Sequence, residues 1–211
     1  MKEQAPEPTI ARETRLWACG YRRVAGLDEV GRGAWAGPVV AAAVVLPPNN
    51  PRIAGCLAGV RDSKELTPAR REALFGVICH HAVAVGVGAV SAATIDTIGI
   101  VPATRRAMAR ALASVLPPAD YLLIDYLSLP EQACPQECLP KGDAHVLSIA
   151  AASIVAKVCR DRFMARLDAV FPGYDFGQHK GYGTHVHQAA LAALGPCACH
   201  RISFAPLKVS R

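Results

Sequence analysis

Gly26-Leu27-Asp28-Glu29-Val30-Gly31-Arg32-Gly33, followed by Ala34-Trp35-Ala36-Gly37-Pro38, is the stretch around which the chain is organised. Val24 to Leu27 reads as a buried strand with two adjacent carboxylates at its end. A turn follows in which two glycines bracket an arginine. A strand end is rigid and its successive side chains point to opposite faces. One of Asp28 and Glu29 can therefore ligate a metal through its side chain while the other approaches from across the strand end. Gly31 and Gly33 let backbone come close to a ligand, and Arg32 adds a planar cation suited to phosphate. Taken alone, the Asp-Glu pair fits two solvated surface acids better, so the rest of the chain has to decide.

Downstream, Pro38 to Leu46 is a continuous apolar run between turn signals, which predicts a central strand buried on both faces. Pro47-Pro48-Asn49-Asn50-Pro51 ends it. Thr67 caps a helix with Pro68 in its first turn, running to about Cys79. Ala82 to Val90 is a third strand, and Ala92 to about Val115 a helix breakable near Gly99 and Pro102. Tyr121-Leu122-Leu123-Ile124-Asp125 is a short apolar strand that again ends in a carboxylate. If it neighbours the first strand, three acids converge at one edge of a sheet. Cys134 to Pro140 reads as a loop, and Lys141-Gly142-Asp143 leads into a long helix from about Val146 to Val170. Asp143 there fits either a ligand or a capping acid. Arg160-Asp161-Arg162 reads as a solvated charged face.

Upstream, residues 1–21 read as a polar tail with a short helical segment at Ile10 to Ala18, and residues 22–170 as the α/β body. Residues 171–211 form an extension that opens with a Gly-, His- and Tyr-rich loop and continues in a helix from Val186 to Leu194. No apolar run is long enough to span a bilayer and the N-terminus lacks an apolar signal region, so a cytoplasmic protein is expected. The formal charge of +6 suits a polyanionic partner. The eight cysteines include Cys134 and Cys138, four apart, and the cluster Cys197-Ala198-Cys199-His200. Neither has the paired C-x2-C spacing of a zinc ribbon, so reduced thiols are expected, with Cys19, Cys56 and Cys79 as scattered small apolar residues.

Hard divalent cations such as Mg2+ and Mn2+ prefer oxygen ligands, one or two carboxylates per ion. Four acids from three segments suffice for two ions about 4 Å apart, the arrangement used for in-line phosphodiester hydrolysis. A basic surface around an acidic centre fits a nucleic-acid backbone held while metals neutralise the acids.

Six motifs then resemble, in order and spacing from about residue 22 onward, those of ribonuclease HII. They are Asp28-Glu29-Val30-Gly31-Arg32-Gly33, Asp62-Ser63-Lys64-Glu65-Leu66, Leu123-Ile124-Asp125, Lys141-Gly142-Asp143, the Ala150 to Asp161 helix and Lys180-Gly181-Tyr182-Gly183-Thr184. The resemblance implies an RNase H-like fold, a central mixed sheet flanked by helices with a C-terminal helical extension. It implies Mg2+- or Mn2+-dependent cleavage of RNA in RNA–DNA hybrids, including 5′ of a single ribonucleotide in duplex DNA, leaving a 3′-hydroxyl and a 5′-phosphate. It makes Asp28, Glu29, Asp125 and Asp143 the metal ligands. Gly31, Arg32 and Gly33 become readers of the 2′-hydroxyl and adjoining phosphates, and Tyr182 stacks on the sugar at the RNA-to-DNA junction. Lys64, Ser148 and Lys180 are the candidates for phosphate contacts. The chain departs from the family pattern at Tyr126, where glycine is frequent, and at Thr94 and Gly99, where a glutamate and an asparagine are common. Only about 23 residues precede the first strand, which favours this type over ribonuclease HIII with its extra N-terminal domain. A monomer is expected, and any replication or repair partner stays open. Two other readings remain, a nuclease of the same fold acting on DNA branches and a noncatalytic nucleic-acid binder.

Overall fold

The computed structural model describes residues 7–48 and 50–208. Helix α1 (Ala11–Ala18) precedes strands β1 (Val24–Val30) and β2 (Val39–Val45). Next come α2 (Ile53–Cys56), a 3-10 turn at Ser63–Glu65, α3 (Pro68–His81) and β3 (Ala84–Val90). Helices α4 (Ala92–Ile98) and α5 (Ile100–Ala113) lead to β4 (Tyr121–Asp125) and β5 (Gln136–Leu139). The chain continues through α6 (Gly142–His145), α7 (Leu147–Val170), α8 (Phe176–His179) and α9 (His185–Leu194). The strands form one sheet in the order β3-β2-β1-β4-β5. β2 runs antiparallel to β1 and β3, while β1, β4 and β5 are parallel, so the sheet is mixed as expected.

The period-2 alternation of strand side chains divides the core in two. Ala25, Leu27, Ala41, Ala43 and Ile124 pack with Ala107, Met108 and Ala111 of α5 on one face. Ala42 and Val44 pack with Ala151, Ile154 and Val155 of α7 on the other. β2 is buried along its whole length because both faces are covered. Every residue from Leu147 to Ala156 is buried, as required of a helix that is apolar on all sides and sits between the sheet and α3. Thr67 caps α3, its Oγ1 accepting from Arg70 N at 3.3 Å. The predicted break between Ala92 and Val115 falls at Gly99, whose φ of 81° closes α4 and opens α5. Thr94 lies in the first turn of α4 beside its capping Ser91.

Three expectations are corrected. The segment Cys134 to Pro140 contains β5, whose four residues pair in parallel with β4; alternation is too short to read in a strand of that length. The N-terminal segment is docked rather than a free tail over its described part. Leu16 joins Val24, Val146 and Ile149, and Thr9 bonds across to His145 and Leu147. Residues 1–6 of that segment, and Asn49 in the turn after β2, lie outside the described residues. Of the cysteines read as scattered small apolar residues, Cys19 and Cys79 are exposed and Cys56 is half-buried. Arg160 does not face solvent: it is fully buried, whereas Arg162 stands at the surface.

Candidate active site

The parallel pairing of β1 with β4 sets Leu27 beside Ile124, so Asp28 and Asp125 follow side by side at the carboxyl ends of two adjacent strands. Ligands in open α/β sheets gather at such ends. α6 folds over this edge because the Gly142 amide donates to Asp125 Oδ1 at 2.7 Å, which carries Asp143 in beside it. Lys64 Nζ lies 3.9 Å from carboxylate oxygens of both Asp62 and Asp143. Asp28 is buried, and the Glu29 amide donates to its Oδ1 at 2.7 Å. Glu29 Oε1 stands 3.4 Å from Arg32 Nη1, while its Oε2 is buried without a hydrogen-bond partner among the described residues.

Burial is the largest cause that raises all four carboxyls above their ordinary values, and repulsion from neighbouring acids, Asp62 included, adds to it. Asp28 is raised furthest, by burial and then by Glu29, Asp125 and Asp143, with Ser153 opposing. Asp125 is eased by the Gly142 amide and Lys64, and Asp143 by Lys64. Burial works against the Lys64 ammonium, yet the surrounding aspartates raise it overall. The group therefore holds more negative charge than its cations neutralise. An all-oxygen donor set with a buried, unpartnered carboxylate oxygen fits a hard divalent cation.

The acids open into a groove made of two adjoining depressions of about 980 and 620 Å³ that share Glu29, Arg32 and Lys64. Lys141, His145 and Tyr126 line one end. Gly31, Gly33, Arg71, Ser153, Lys157 and Tyr182 line the other. The Tyr182 ring lies 5.4 Å from the Arg160 guanidinium and 6.0 Å from Lys157 Nζ.

Two buried arginines set the shape of that second end. Arg160 donates to the carbonyls of Pro38, Lys180 and Ala36 at 2.9, 2.9 and 3.1 Å. Arg201 donates to Gly37 O at 2.9 and 3.0 Å and to Arg32 O at 2.8 Å. Together they tie the Gly31–Pro38 turn to the Lys180–Tyr182 loop. Gly31 has φ 86°, and a side chain there would occupy the space of the Arg160 guanidinium, so glycine is required on both counts.

Asp28, Glu29, Asp125, Asp143, Gly31, Arg32, Gly33, Lys64 and Tyr182 are thus brought to one groove. Ser148 is not. It is fully buried, its amide donates to Glu13 Oε1 at 2.8 Å, and its hydroxyl is enclosed, so it cannot reach a phosphate. Ser153, a little over one helical turn further, lies in the groove and bonds to Ser63 at 3.0 Å. Lys180 lines the neighbouring depression with Lys157 and Arg71, and its ammonium is turned to the Gly177 carbonyl. The sequence reading missed Asp62, Ser153, Arg71 and Lys157 as groove residues. Asp62 was legible as an acid beside Lys64; the others depend on which face of α3 and α7 meets the sheet.

Acids at the carboxyl ends of adjacent parallel strands, inside a cation-rimmed groove, define a metal-dependent hydrolase of nucleic-acid phosphodiesters. Comparison with known proteins narrows the class. The ribonuclease HII family matches residues 25–207. The chain is 56% identical over 200 residues to the ribonuclease HII of Roseiflexus castenholzii, covering 95% of this chain and 89% of that one. It is 54% identical to that of Chloroflexus aurantiacus, covering 95% and 94%. The fold is similar to ribonuclease HII in the PCNA complex from Archaeoglobus fulgidus, with a TM-score of 0.72 at 28% identity over 89% of this chain and 98% of that one. Bst-RNase HIII in complex with Mn2+ shares the fold, with a TM-score of 0.66 at 22% identity over 99% and 74%. The chain belongs to the ribonuclease HII family, metal-dependent ribonucleases that cleave the RNA of RNA–DNA hybrids. Among the described residues no helix is long and apolar enough to cross a membrane.

Proposed function

We propose that the chain cuts 5′ of ribonucleotides, single ones in duplex DNA included, leaving a 3′-hydroxyl and a 5′-phosphate by two-metal-ion hydrolysis. The observation that carries this reading is the meeting of the acid group with the Gly31-Arg32-Gly33 turn and Tyr182 in one groove. Asp28, Glu29, Asp125 and Asp143 hold Mg2+ or Mn2+, which supplies Lewis acidity to the scissile phosphate. Asp62, held near by the 3-10 turn it caps, adds a fifth acid to the field that draws the cations in. Backbone groups of Gly31 and Gly33 approach the ribose, where only RNA carries a 2′-hydroxyl, and Arg32 holds a neighbouring phosphate. Tyr182 presents its ring to the sugar at the junction. Lys64, Lys141, Arg71 and Lys157 hold the backbone on either side of the cut, since each phosphate neutralised adds salt-dependent affinity.

Residues 22–170 form the catalytic body in this reading, and residues 171–211 an extension that carries Tyr182 and Lys180 to the substrate. The enzyme acts as a monomer in the cytoplasm, on RNA–DNA hybrids and ribonucleotide-containing duplexes. The test is cleavage of a DNA duplex containing one ribonucleotide, with Mg2+, with Mn2+ and with chelator, mapping both new ends. Metal-dependent nicking 5′ of the ribonucleotide is expected. Cleavage of long hybrids with none at the single ribonucleotide refutes the junction reading, and binding without cleavage under every metal refutes catalysis.

A further inference from the structure

The C-terminal extension contains a second set of potential ligand atoms, and its chemistry is unlike that of the groove. Cys197, Cys199 and His200 converge so that one donor atom from each lies within 4.8 Å of the others. The two sulfurs are 3.3 Å apart, and Cys197 Sγ is 3.1 Å from His200 Nδ1. On a tetrahedral zinc ion with bonds of about 2.3 Å to sulfur and 2.05 Å to nitrogen, those separations become about 3.8 and 3.5 Å. An opening of about half an ångström in each therefore converts the contact cluster into a coordination shell.

The orientation of His200 is set by a chain of hydrogen bonds. Its Nδ1 accepts from the Cys197 amide at 2.9 Å, so the ring proton is on Nε2. That Nε2 lies 3.0 Å from His187 Nε2 and donates to it, and His187 Nδ1 then donates to the Tyr182 carbonyl at 3.0 Å. His200 thus aims an unprotonated nitrogen at two thiols while its other nitrogen is held from behind, as a metal-bound imidazole is held. Ligation exchanges the amide bond at Nδ1 for coordination and leaves the rest of the chain in place. Spacing alone spoke against a zinc ribbon because neither cysteine cluster has the C-x2-C spacing. The fold instead supplies the imidazole from the next residue and its support from α9.

We propose that Cys197, Cys199 and His200 bind a soft divalent cation of the zinc class, with a fourth position left to solvent. Thiolate and imidazole donors select such an ion over Mg2+ or Mn2+, so the two sites load independently. The bound ion is structural. The Cys199 carbonyl accepts from the Gly37 amide at 2.8 Å, and the Arg201 amide donates to Trp35 O at 2.8 Å. Closing the cluster therefore locks the extension onto the turn that follows Gly33 and, through His187, onto the Tyr182 loop.

Cobalt(II) is the probe, added to fully reduced, chelator-stripped full-length protein. One equivalent is expected to give a thiolate-to-cobalt charge-transfer band that carboxylate sites cannot produce. That band is expected to disappear in Cys197→Ser/Cys199→Ser. Stoichiometric zinc is expected to raise the unfolding midpoint of the wild type and leave the double variant unmoved. A variant-free measurement accompanies this: alkylation followed by peptide mapping, in which zinc protects Cys197 and Cys199 out of the eight cysteines. Absence of the band in wild type, its persistence in the double variant, or protection at other cysteines instead would each overturn the proposal. Loss of junction cleavage bears on the groove reading only, since the band and the protection pattern are read without substrate.

Discussion

The groove acids and the buried arginine pair both place formal charge inside the molecule, and they resolve it in opposite ways. Arg160 and Arg201 are fully buried, and each has its guanidinium taken up by backbone carbonyls at 2.8 to 3.1 Å. Nothing outside the chain is needed to satisfy them. Asp28, Glu29, Asp125 and Asp143 crowd one sheet end, raised by burial and by each other, and Glu29 Oε2 has no partner among the described residues. A buried charge satisfied from within holds the fold, whereas a crowd of acids that outnumber their cations at one sheet end marks where a ligand enters.

Substitutions test this division. Asp125→Asn is expected to lower kcat by on the order of a thousandfold or more. It should leave hybrid affinity largely intact, with the unfolding midpoint unchanged or higher because like charges are relieved. Near wild-type cleavage by that variant would remove Asp125 from the proposed ligand set. Arg160→Met is expected to do the reverse, costing about 3–5 kcal/mol in denaturant unfolding by leaving three buried carbonyls without donors. A loss below about 1 kcal/mol would show that those carbonyls find other partners.

Tyr182→Ala sharpens the boundary between the two regions, since its ring faces the groove while its carbonyl belongs to the buried network. It is expected to reduce cleavage at single ribonucleotides by roughly 5- to 150-fold, the value of about 1–3 kcal/mol of stacking. Long hybrids should lose less, and equal losses on both substrates would refute a junction role.

Glu13 is a buried acid with no cluster around it, which makes it the control. Burial raises its carboxyl above the ordinary 4.5, and the hydrogen bond from Ser148 only partly offsets this. The folded state therefore holds its proton more tightly than the unfolded state. Stability from that proton is complete below pH 4.5 and is lost as pH rises through the folded value. Glu13→Gln is expected to be more stable than wild type at neutral pH, with the difference shrinking as pH falls to 4.5. A pH-independent difference in unfolding free energy would show that Glu13 does not titrate in this way. The smallest effect belongs to Tyr126, an exposed residue at φ 62°. Tyr126→Gly relieves left-handed backbone but frees the unfolded chain, so a shift under about 1 kcal/mol with activity retained is expected. A larger loss of cleavage would place its ring in substrate binding.

Local patterns in the chain determined more than its elements. The apolar run after Pro38, the strand ending in Asp125 and the Thr67 cap were all legible, because burial on both faces and capping leave marks within a few residues. So were Asp28, Glu29 and Asp125 as candidates, since acids at strand ends stand out against apolar neighbours, whereas Asp143 ahead of the long helix could equally be read as a cap. What remained was decided by partners distant in sequence. β5 exists because β4 offers it hydrogen bonds, and its own four residues carry no signal. Ser148 and Ser153 look alike in an alanine-rich helix, and only the packing of α7 on the sheet buries one and turns the other into the groove. Arg160 reads as one of three surface charges until the carbonyls of Ala36, Pro38 and Lys180 surround it. Cysteine spacing argued against a zinc ribbon, and His200 becomes a third donor only once α9 holds its far nitrogen. In each case the deciding interaction is made across more residues than any local pattern spans.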